Sequence, residues 1–282
     1  MKLSYWHWVV LCLLATVVWG TTFPIMKQAL SAYTPISLIA FRFAIASLAL
    51  GAYIHFSKEK LTNYDITRGA ILGVIFFLGF LFQITGFIYT SATSNAFITG
   101  LYVVLVPIFS SAFLKKFPSN NVIFSCILAI FGLYLLSGFG AALNIGDAIA
   151  FAGTIMWSIH ILAVSKFTKN AGTVGLTFSQ LATVALIGSV LTVFLGEFPA
   201  TITAESISIP IYLGLFATAA AFLIQIGAQK VIEPSKVSLI FVCEVAFAAI
   251  FAYFLLGETL SLLQLSGAIL MFAAMLLSEF GK

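Results

Sequence analysis

Runs of about 20 apolar residues recur along the whole chain, and each is long enough to cross the roughly 30 Å hydrocarbon core of a membrane as an α-helix. Of the 282 residues, 62% are hydrophobic and 8% are charged, whereas a soluble domain typically carries about 25% charged residues. The chain therefore has too little polar surface to cover a soluble globule. We predict an all-α membrane protein whose spans make up the whole fold.

Polar, glycine-rich or proline-containing breaks divide the sequence into ten predicted transmembrane helices. Pro35, Pro210 and Pro234 fall at or just before predicted helix starts, where a missing N–H costs little. Pro24 and Pro107 fall inside predicted helices, so we expect each to kink or open its helix and to act as a hinge. The predicted spans are residues 8–26, 35–56, 66–90, 92–114, 121–138, 146–165, 173–195, 210–229, 235–256 and 261–279.

Basic residues are distributed unequally between alternate loops, and this asymmetry predicts the orientation. With a cytoplasmic N-terminus, the outer loops hold only Lys27. We predict that both termini are cytoplasmic, in a multi-pass protein of a bacterial-type inner membrane. The net charge of +4 then anchors loops at anionic lipid, and no nucleic-acid partner is expected. The inner loops and tails hold Lys2, Lys58, Lys60, Arg68, Lys115, Lys116, Lys166, Lys169, Lys230, Lys236 and Lys282.

The second half of the chain weakly repeats the first, at offsets of 138 and about 142 residues. Residues 1–138 and 146–282 then form two repeats of five spans each. Because five is odd, the repeats lie in opposite orientations across the bilayer. Inverted repeats are typical of secondary transporters, whose substrate site lies near the midplane. The alignment pairs Trp19 with Trp157, Thr22 with His160, Gln83 with Gln225, and Tyr102 with Glu244.

Four segments carry a resemblance to a known family: "WGTTFPIMK" (19–27), "FRFAIASLAL" (41–50), "YTSATSNAFITGLYVVLVPIFSSAFLKK" (89–116) and "PSKVSLIFVCEVAFAAIFAYFLLGETLSLLQLSGAIL" (234–270). In order and spacing, they resemble the EamA type of the drug/metabolite transporter superfamily. The resemblance implies a ten-helix exporter or facilitator with a central cavity between two five-helix halves, commonly handling amino acids, their derivatives or other small metabolites. The family pattern Glu-Pro-Val is replaced here by Glu244-Val245-Ala246, so the helix-breaking proline is missing.

Glu244 is the only charged residue between Val237 and Gly257. About ten residues into its predicted helix, it lies near the bilayer midplane. A charge there costs at least about 2.5–3.5 kcal/mol, so the carboxyl group must face a cavity, find a partner or be protonated. We interpret Glu244 as a group that pairs with a substrate amine or exchanges a proton; the alternative is a neutral carboxyl that links helices.

Other polar and aromatic residues are directed to the same midplane zone by helical spacing or by the repeat. His160 is a second candidate for proton coupling, because imidazole titrates near neutral pH. Gln83 is a candidate gate, with Pro24 and Pro107 as hinges. Core packing and helix–helix hydrogen bonds are the alternative roles, and Arg42 is interpreted as an interfacial anchor that could instead clamp a carboxylate. The predicted cavity residues are Trp19, Thr22, Asn95, Thr99, Tyr102, Trp157, His160, Gln225 and Glu244.

The sequence contains no HExxH motif, no Walker-type glycine loop and no intramembrane aspartate pair, so neither an enzyme nor a cofactor is expected. We predict a carrier, monomeric or homodimeric, that exports small organic metabolites, first among them amino acids or their derivatives. Its partners are then the substrate, the lipid bilayer and, as a candidate coupling ion, protons. A multidrug or quaternary-amine exporter is the alternative, since aromatic rings with one buried acid also suit lipophilic cations; a channel-like facilitator ranks below both.

Overall fold

The structure, a computed structural model, describes residues 4–115, 117–136, 144–199, 203–259 and 261–280. Within these ranges all regular elements are helical. Eight helical stretches are long and apolar enough to cross a membrane, and two shorter apolar helices accompany them. The all-α membrane prediction is thereby confirmed for the described residues, while the count of ten crossings stays a prediction. The predicted loop positions of Lys2, Lys116 and Lys282 lie outside the described residues.

The described part of the first half forms six α-helices: α1 (Tyr5–Ala29), α2 (Pro35–Ser57), α3 (Asn63–Gly86), α4 (Ala92–Gly100), α5 (Tyr102–Leu114) and α6 (Asn120–Leu136). The described part of the second half forms seven: α7 (Ile145–Phe167), α8 (Thr173–Leu195), α9 (Ala204–Gly214), α10 (Ala221–Ala228), α11 (Pro234–Phe241), α12 (Cys243–Leu256) and α13 (Leu262–Phe280). A 3₁₀ turn, Thr168–Asn170, follows α7, and a π-helical turn, Leu215–Ala220, joins α9 to α10.

Short polar side chains set the starts of several helices. The Thr34 side chain accepts a hydrogen bond from the Ser37 backbone N–H, and the Ser37 hydroxyl accepts one from the Thr34 N–H. Asn144 and Asp147 form the same capping box at the start of α7. These reciprocal bonds satisfy N–H groups that a first helical turn leaves free, so the chain enters each helix at a defined residue.

Proline residues interrupt the helices less than the sequence suggested. The predicted helix start at Pro210 is wrong, because a capping box between Thr203 and Ser206 starts α9 at Ala204 and leaves Pro210 inside the helix. Helix α1 runs unbroken through Pro24, and α5 runs unbroken through Pro107. A proline removes one backbone N–H and can bend a helix without ending it; the hinge roles of Pro24 and Pro107 stay predictions.

The actual breaks divide two spans near their middle. Leu101 separates α4 from α5, and Val242 separates α11 from α12. At both points a backbone hydrogen bond closes on the third residue back: Leu101 N–H donates to the Ile98 carbonyl at 3.2 Å, and Val245 N–H donates to the Val242 carbonyl at 3.1 Å. The break beside Glu244 therefore forms without a proline, by a local tightening of the helix into a 3₁₀ turn.

The helices of the two halves pack in corresponding ways. Helix α1 packs against α10 and α12, just as α7 packs against α3 and against α4 and α5. Helix α2 packs against α8, and α6 packs against α13. Exchanging the halves leaves this pattern of neighbours unchanged, as two related repeats require. The repeat boundaries at residues 138 and 146 stay a prediction, and residue 138 lies outside the described residues.

Polar contacts hold one end of the bundle, where α1 and α3 finish; we call it the Lys27 end. The Lys27 ammonium donates to the carbonyl of Phe87 and, at 2.9 Å, to that of Thr90, both in the segment that follows α3. The Thr90 hydroxyl donates to the Asp147 carboxylate at 2.7 Å. A cation at a helix C-terminus opposes the negative end of the helix dipole, so Lys27 fixes the end of α3.

A second group of contacts holds the opposite end, where α7 and α10 finish; we call it the Lys230 end. The Lys230 ammonium donates to the Ala171 carbonyl at 2.8 Å. The Asp65 carboxylate, in the first turn of α3, accepts the Gly172 N–H at 2.9 Å. The two ends are therefore held by separate sets of polar groups.

Two glycines on α3 test how closely this helix packs against its neighbours. A Cβ at Gly73 would lie 2.7 Å from the Gln180 carbonyl oxygen, whereas a Cβ at Gly79 would lie 3.4 Å from Trp157, an ordinary contact. We expect Gly73→Ala to lower the free energy of unfolding by about 1–3 kcal/mol, because α8 must move away. Gly79→Ala should be neutral or slightly stabilising, since alanine favours helix. Unfolding in detergent micelles measures both; equal effects would contradict this packing.

Candidate functional site

A cavity lies at the centre of the bundle, where helices of both halves meet. Its volume is about 500 Å³, the open mouth included, and side chains of both halves form its walls, so we also call it the central cleft. The lining residues are Trp19, Thr22, Phe23, Met26, Arg42, Phe80, Gln83, Thr99, Tyr102, Trp157, Ile161, Phe222, Gln225, Phe241 and Glu244.

Most of the lining consists of residues at equivalent positions in the two halves. At offsets of 138 or 142 residues, twelve of the fifteen lining residues form six pairs. The lining is thus symmetric in position although the paired side chains differ in chemistry. The pairs are Trp19 with Trp157, Phe23 with Ile161, Phe80 with Phe222, Gln83 with Gln225, Thr99 with Phe241, and Tyr102 with Glu244.

Tyr102 and Glu244, which the repeat alignment pairs, are in direct contact. The Tyr102 hydroxyl donates a hydrogen bond to Oε1 of Glu244 at 3.0 Å. Both side chains are buried. Tyr102 is the first residue of α5, and Glu244 lies in the first turn of α12, each directly after a helix break. Because the N-terminus of a helix favours negative charge, the break at Val242 supports a carboxylate at this position.

Aromatic side chains form the walls on either side of this contact. The Trp19 ring lies 4.9 Å from that of Phe241, and its Nε1–H donates to the Ala217 carbonyl at 2.9 Å. The Trp157 ring lies 4.8 Å from that of Phe80. The Trp157 Nε1–H has no hydrogen-bond partner among the described residues, so one wall carries a free donor.

The amide side chains form a layer beside these walls. Gln83 lines the cavity and donates through Nε2 to the Thr99 hydroxyl at 3.0 Å, and its role as a gate stays a prediction. Asn95 is not a lining residue. Its Nδ2 donates to the backbone carbonyl of Gln83 at 2.9 Å and so supports the cavity wall from behind. Gln225 lines the cavity and donates to the Gln229 amide oxygen at 3.1 Å.

His160 lies one layer behind the cavity wall and is not a lining residue. Its imidazole stacks on Phe76, with ring centroids 4.6 Å apart and planes 16° apart. Its Nε2 lies 2.9 Å from Oε1 of Gln180 on α8. The repeat places His160 opposite Thr22, which does line the cavity, but the larger imidazole packs between helices instead. Pro24 and Pro107 are likewise absent from the lining.

Arg42 is a cavity residue that the sequence pattern favoured as an interfacial anchor, with a carboxylate clamp as the alternative. Its side chain is 1% exposed and lines the cavity, so the interpretation as an interfacial anchor is wrong. The guanidinium lies 4.4 Å from the Phe80 ring centroid, which directs it inward. The available signal was its repeat-equivalent residue, Gln180, which is also polar and also lies inside a predicted span.

The lining combines one carboxyl group, one guanidinium, two amides and aromatic walls, which are groups that can bind a small polar or amphipathic molecule. Among the described residues, no group of three or more His, Cys, Asp or Glu is placed to hold a metal ion.

Comparison with known proteins places the chain in a family. The EamA-like transporter family matches residues 6–138 and again residues 144–280. An uncharacterized transporter of Archaeoglobus fulgidus is 31% identical over 269 residues, which cover 94% of this chain and 83% of the relative. The uncharacterized transporter YyaM of Bacillus subtilis is 26% identical, covering 91% and 88%. A crystal structure of a protein with 15% identity superposes with a TM-score of 0.75 over 95% of both chains, which shows a shared fold. The chain belongs to the EamA-like transporter family.

Proposed function

We propose that this membrane transporter is a secondary carrier that exports small organic metabolites, most of all amino acids or their derivatives, by alternating access. In this proposal ten helices cross the inner membrane as two inverted five-helix repeats, with both termini in the cytoplasm. Gradients of the substrate or of protons drive the transport. The family match, which falls once on each half, supports the two-repeat arrangement.

The observation that carries the proposal is the paired lining of the cavity. Six pairs of equivalent positions surround one central cleft, so each half contributes nearly the same positions to it. When two such halves rock against each other, the shared cleft faces the two ends of the bundle in turn. A channel would instead need rings of like polar groups along a continuous pore.

Contacts between the halves at the two ends support alternation. At the Lys27 end, the Thr93 hydroxyl and backbone N–H both donate to the Glu258 carboxylate. At the Lys230 end, the Asp65 carboxylate accepts from the Gly172 N–H. Each contact joins one half to the other, and the two lie at opposite ends. Alternating access requires that one set opens while the other holds.

A quaternary-amine or multidrug exporter is the second candidate. The aromatic walls of Trp19, Trp157, Phe80 and Phe241 beside the Glu244 carboxylate favour it, because aromatic faces and a buried acid attract organic cations. Arg42 in the same cavity disfavours it, because a cationic substrate would meet a second positive charge. We therefore place this candidate after amino acids.

Transport by the purified protein in liposomes separates these functions. We expect saturable uptake of one or more amino acids, accelerated when the liposomes are preloaded with the same compound, because a carrier returns faster when loaded. Radiolabelled amino acids and the lipophilic cation tetraphenylphosphonium are measured side by side. Flux that rises without saturation would indicate a channel, and saturable flux of tetraphenylphosphonium alone would select the second candidate.

Glu244→Gln tests the central carboxylate. We expect transport to fall about tenfold to a hundredfold, since hydrogen bonds to a charged group contribute about 1.5–3 kcal/mol. Tyr102→Phe should lower transport less, because the carboxylate remains. Glu197→Gln makes the same charge change in the segment after α8, outside the cavity lining, and should transport normally. Wild-type rates with unchanged pH dependence in Glu244→Gln would remove the carboxylate from the mechanism.

A further inference from the structure

Arg42 is held in the cavity by a local irregularity of the facing span. Its Nε–H donates to the Thr218 hydroxyl at 2.6 Å, and its Nη2 donates to the Ala217 carbonyl at 3.3 Å. Both partners lie in the π-helical turn Leu215–Ala220. The Thr218 hydroxyl in turn donates to the Leu213 carbonyl at 2.8 Å. The guanidinium is thus fixed by a chain of hydrogen bonds.

The π-helical turn explains why these acceptors are available. A π turn shifts the backbone hydrogen bonds by one residue, and such turns are frequent at functional sites. The Ala217 carbonyl accepts from Arg42 and also from the Trp19 indole at 2.9 Å. One carbonyl of α9–α10 therefore orients a cationic and an aromatic member of the lining together.

The guanidinium remains incompletely satisfied. Its remaining hydrogen bond goes to the Met26 sulfur at 3.3 Å, a weak acceptor. Its three contacts within the described residues use three of the five guanidinium N–H groups. Every partner is neutral, and no carboxylate of the described residues forms an ion pair with it. A buried cation in this condition is stabilised by an anionic group that enters the cavity.

The acidic side chain of the same cavity, Glu244, has a different hydrogen-bond partner. Glu244 accepts a hydrogen bond from Tyr102 at 3.0 Å and forms no ion pair with Arg42, although both line the cleft. A salt bridge between the two side chains would occupy both groups; here each has only neutral partners among the described residues. The cleft therefore presents a basic side chain, Arg42, and an acidic side chain, Glu244, to whatever enters it.

We propose that Arg42 is the carboxylate-binding residue of the cavity and that the transported class is a small zwitterion, with its carboxylate at Arg42 and its ammonium at Glu244. This proposal rests on the proposed function and extends it. Arginine is suited to the role because its planar fork matches a carboxylate with two parallel hydrogen bonds. The rings of Trp19, Phe80 and Trp157 then contact the apolar part of the substrate.

The test compares ligands that differ in one charge. The twenty protein amino acids are screened by thermal shift and calorimetry on the purified protein, and the best binder is compared with its carboxamide, its deaminated acid and tetraphenylphosphonium. We expect the wild-type protein to prefer the amino acid over all three. This comparison uses only the wild-type protein, so it tests the preference for a zwitterion even if substitutions impair folding. Failure of every amino acid to bind, or tighter binding of the carboxamide or of tetraphenylphosphonium, overturns the proposal.

Two substitutions assign the charges to residues. Arg42→Gln places at this position the residue type of its equivalent, Gln180; it should weaken the amino acid about tenfold to a hundredfold and leave the carboxamide unchanged. Glu244→Gln should weaken the amino acid and leave the deaminated acid unchanged. Arg68→Gln is the matched control, because the Arg68 guanidinium lies over the rings of Tyr64 and Phe167, outside the cavity. It should leave the binding of all three compounds unchanged.

The outcomes separate this proposal from the proposed function. Equal losses for the amino acid and its carboxamide in Arg42→Gln would overturn the role of Arg42, even where saturable transport persists. A protein that shows the expected binding pattern but no saturable flux in liposomes would support the zwitterion site and overturn the carrier function.

Discussion

A polar group in the hydrocarbon core of a membrane has no water to bond with, so the protein itself must supply its partner. This constraint governs the structure from the backbone outward. It favours helices throughout. It pairs the hydroxyls of Thr16 and Ser158 with carbonyls of their own helices. It also confines irregular backbone, at Leu101, Val242 and the π turn, to places where other protein groups can form hydrogen bonds with it. Leu101 and Val242 are each next to a lining residue in the sequence, and the π turn is hydrogen-bonded to the lining residues Trp19 and Arg42.

The same constraint explains why charge is concentrated at one place. Glu244 and Arg42 would each be costly against lipid, and both lie in the cavity with hydrogen-bonding partners from other helices. Tyr102 and Glu244 occupy equivalent positions of the two halves and touch each other. Two equivalent residues can meet only where the halves themselves meet, so their hydrogen bond marks the junction between the halves.

Departures from symmetry give the site its chemistry. Trp19 and Trp157 are equivalent, but only the Trp19 indole has a backbone partner, because the π turn presents the Ala217 carbonyl. Arg42 and Gln180 are equivalent as well, yet Arg42 reaches the cavity and Gln180 pairs with His160 behind it. The lining is therefore symmetric in the positions of its residues but not in their chemistry: α2 contributes a basic side chain and α12 contributes an acidic one.

Hydropathy, segment length and motif order are properties of the chain that need no packing, so the amino-acid sequence was enough to identify the apolar segments, the family and the position of Glu244 inside one of those segments. It also paired Tyr102 with Glu244, since the repeat aligns these two positions and both fall near the middle of an apolar segment. The direction in which each side chain faces became known only from the packed helices. Arg42 turned inward, His160 turned to Gln180, and Asn95 came to support Gln83, because the rotation of each helix about its own axis is set by the helices packed against it.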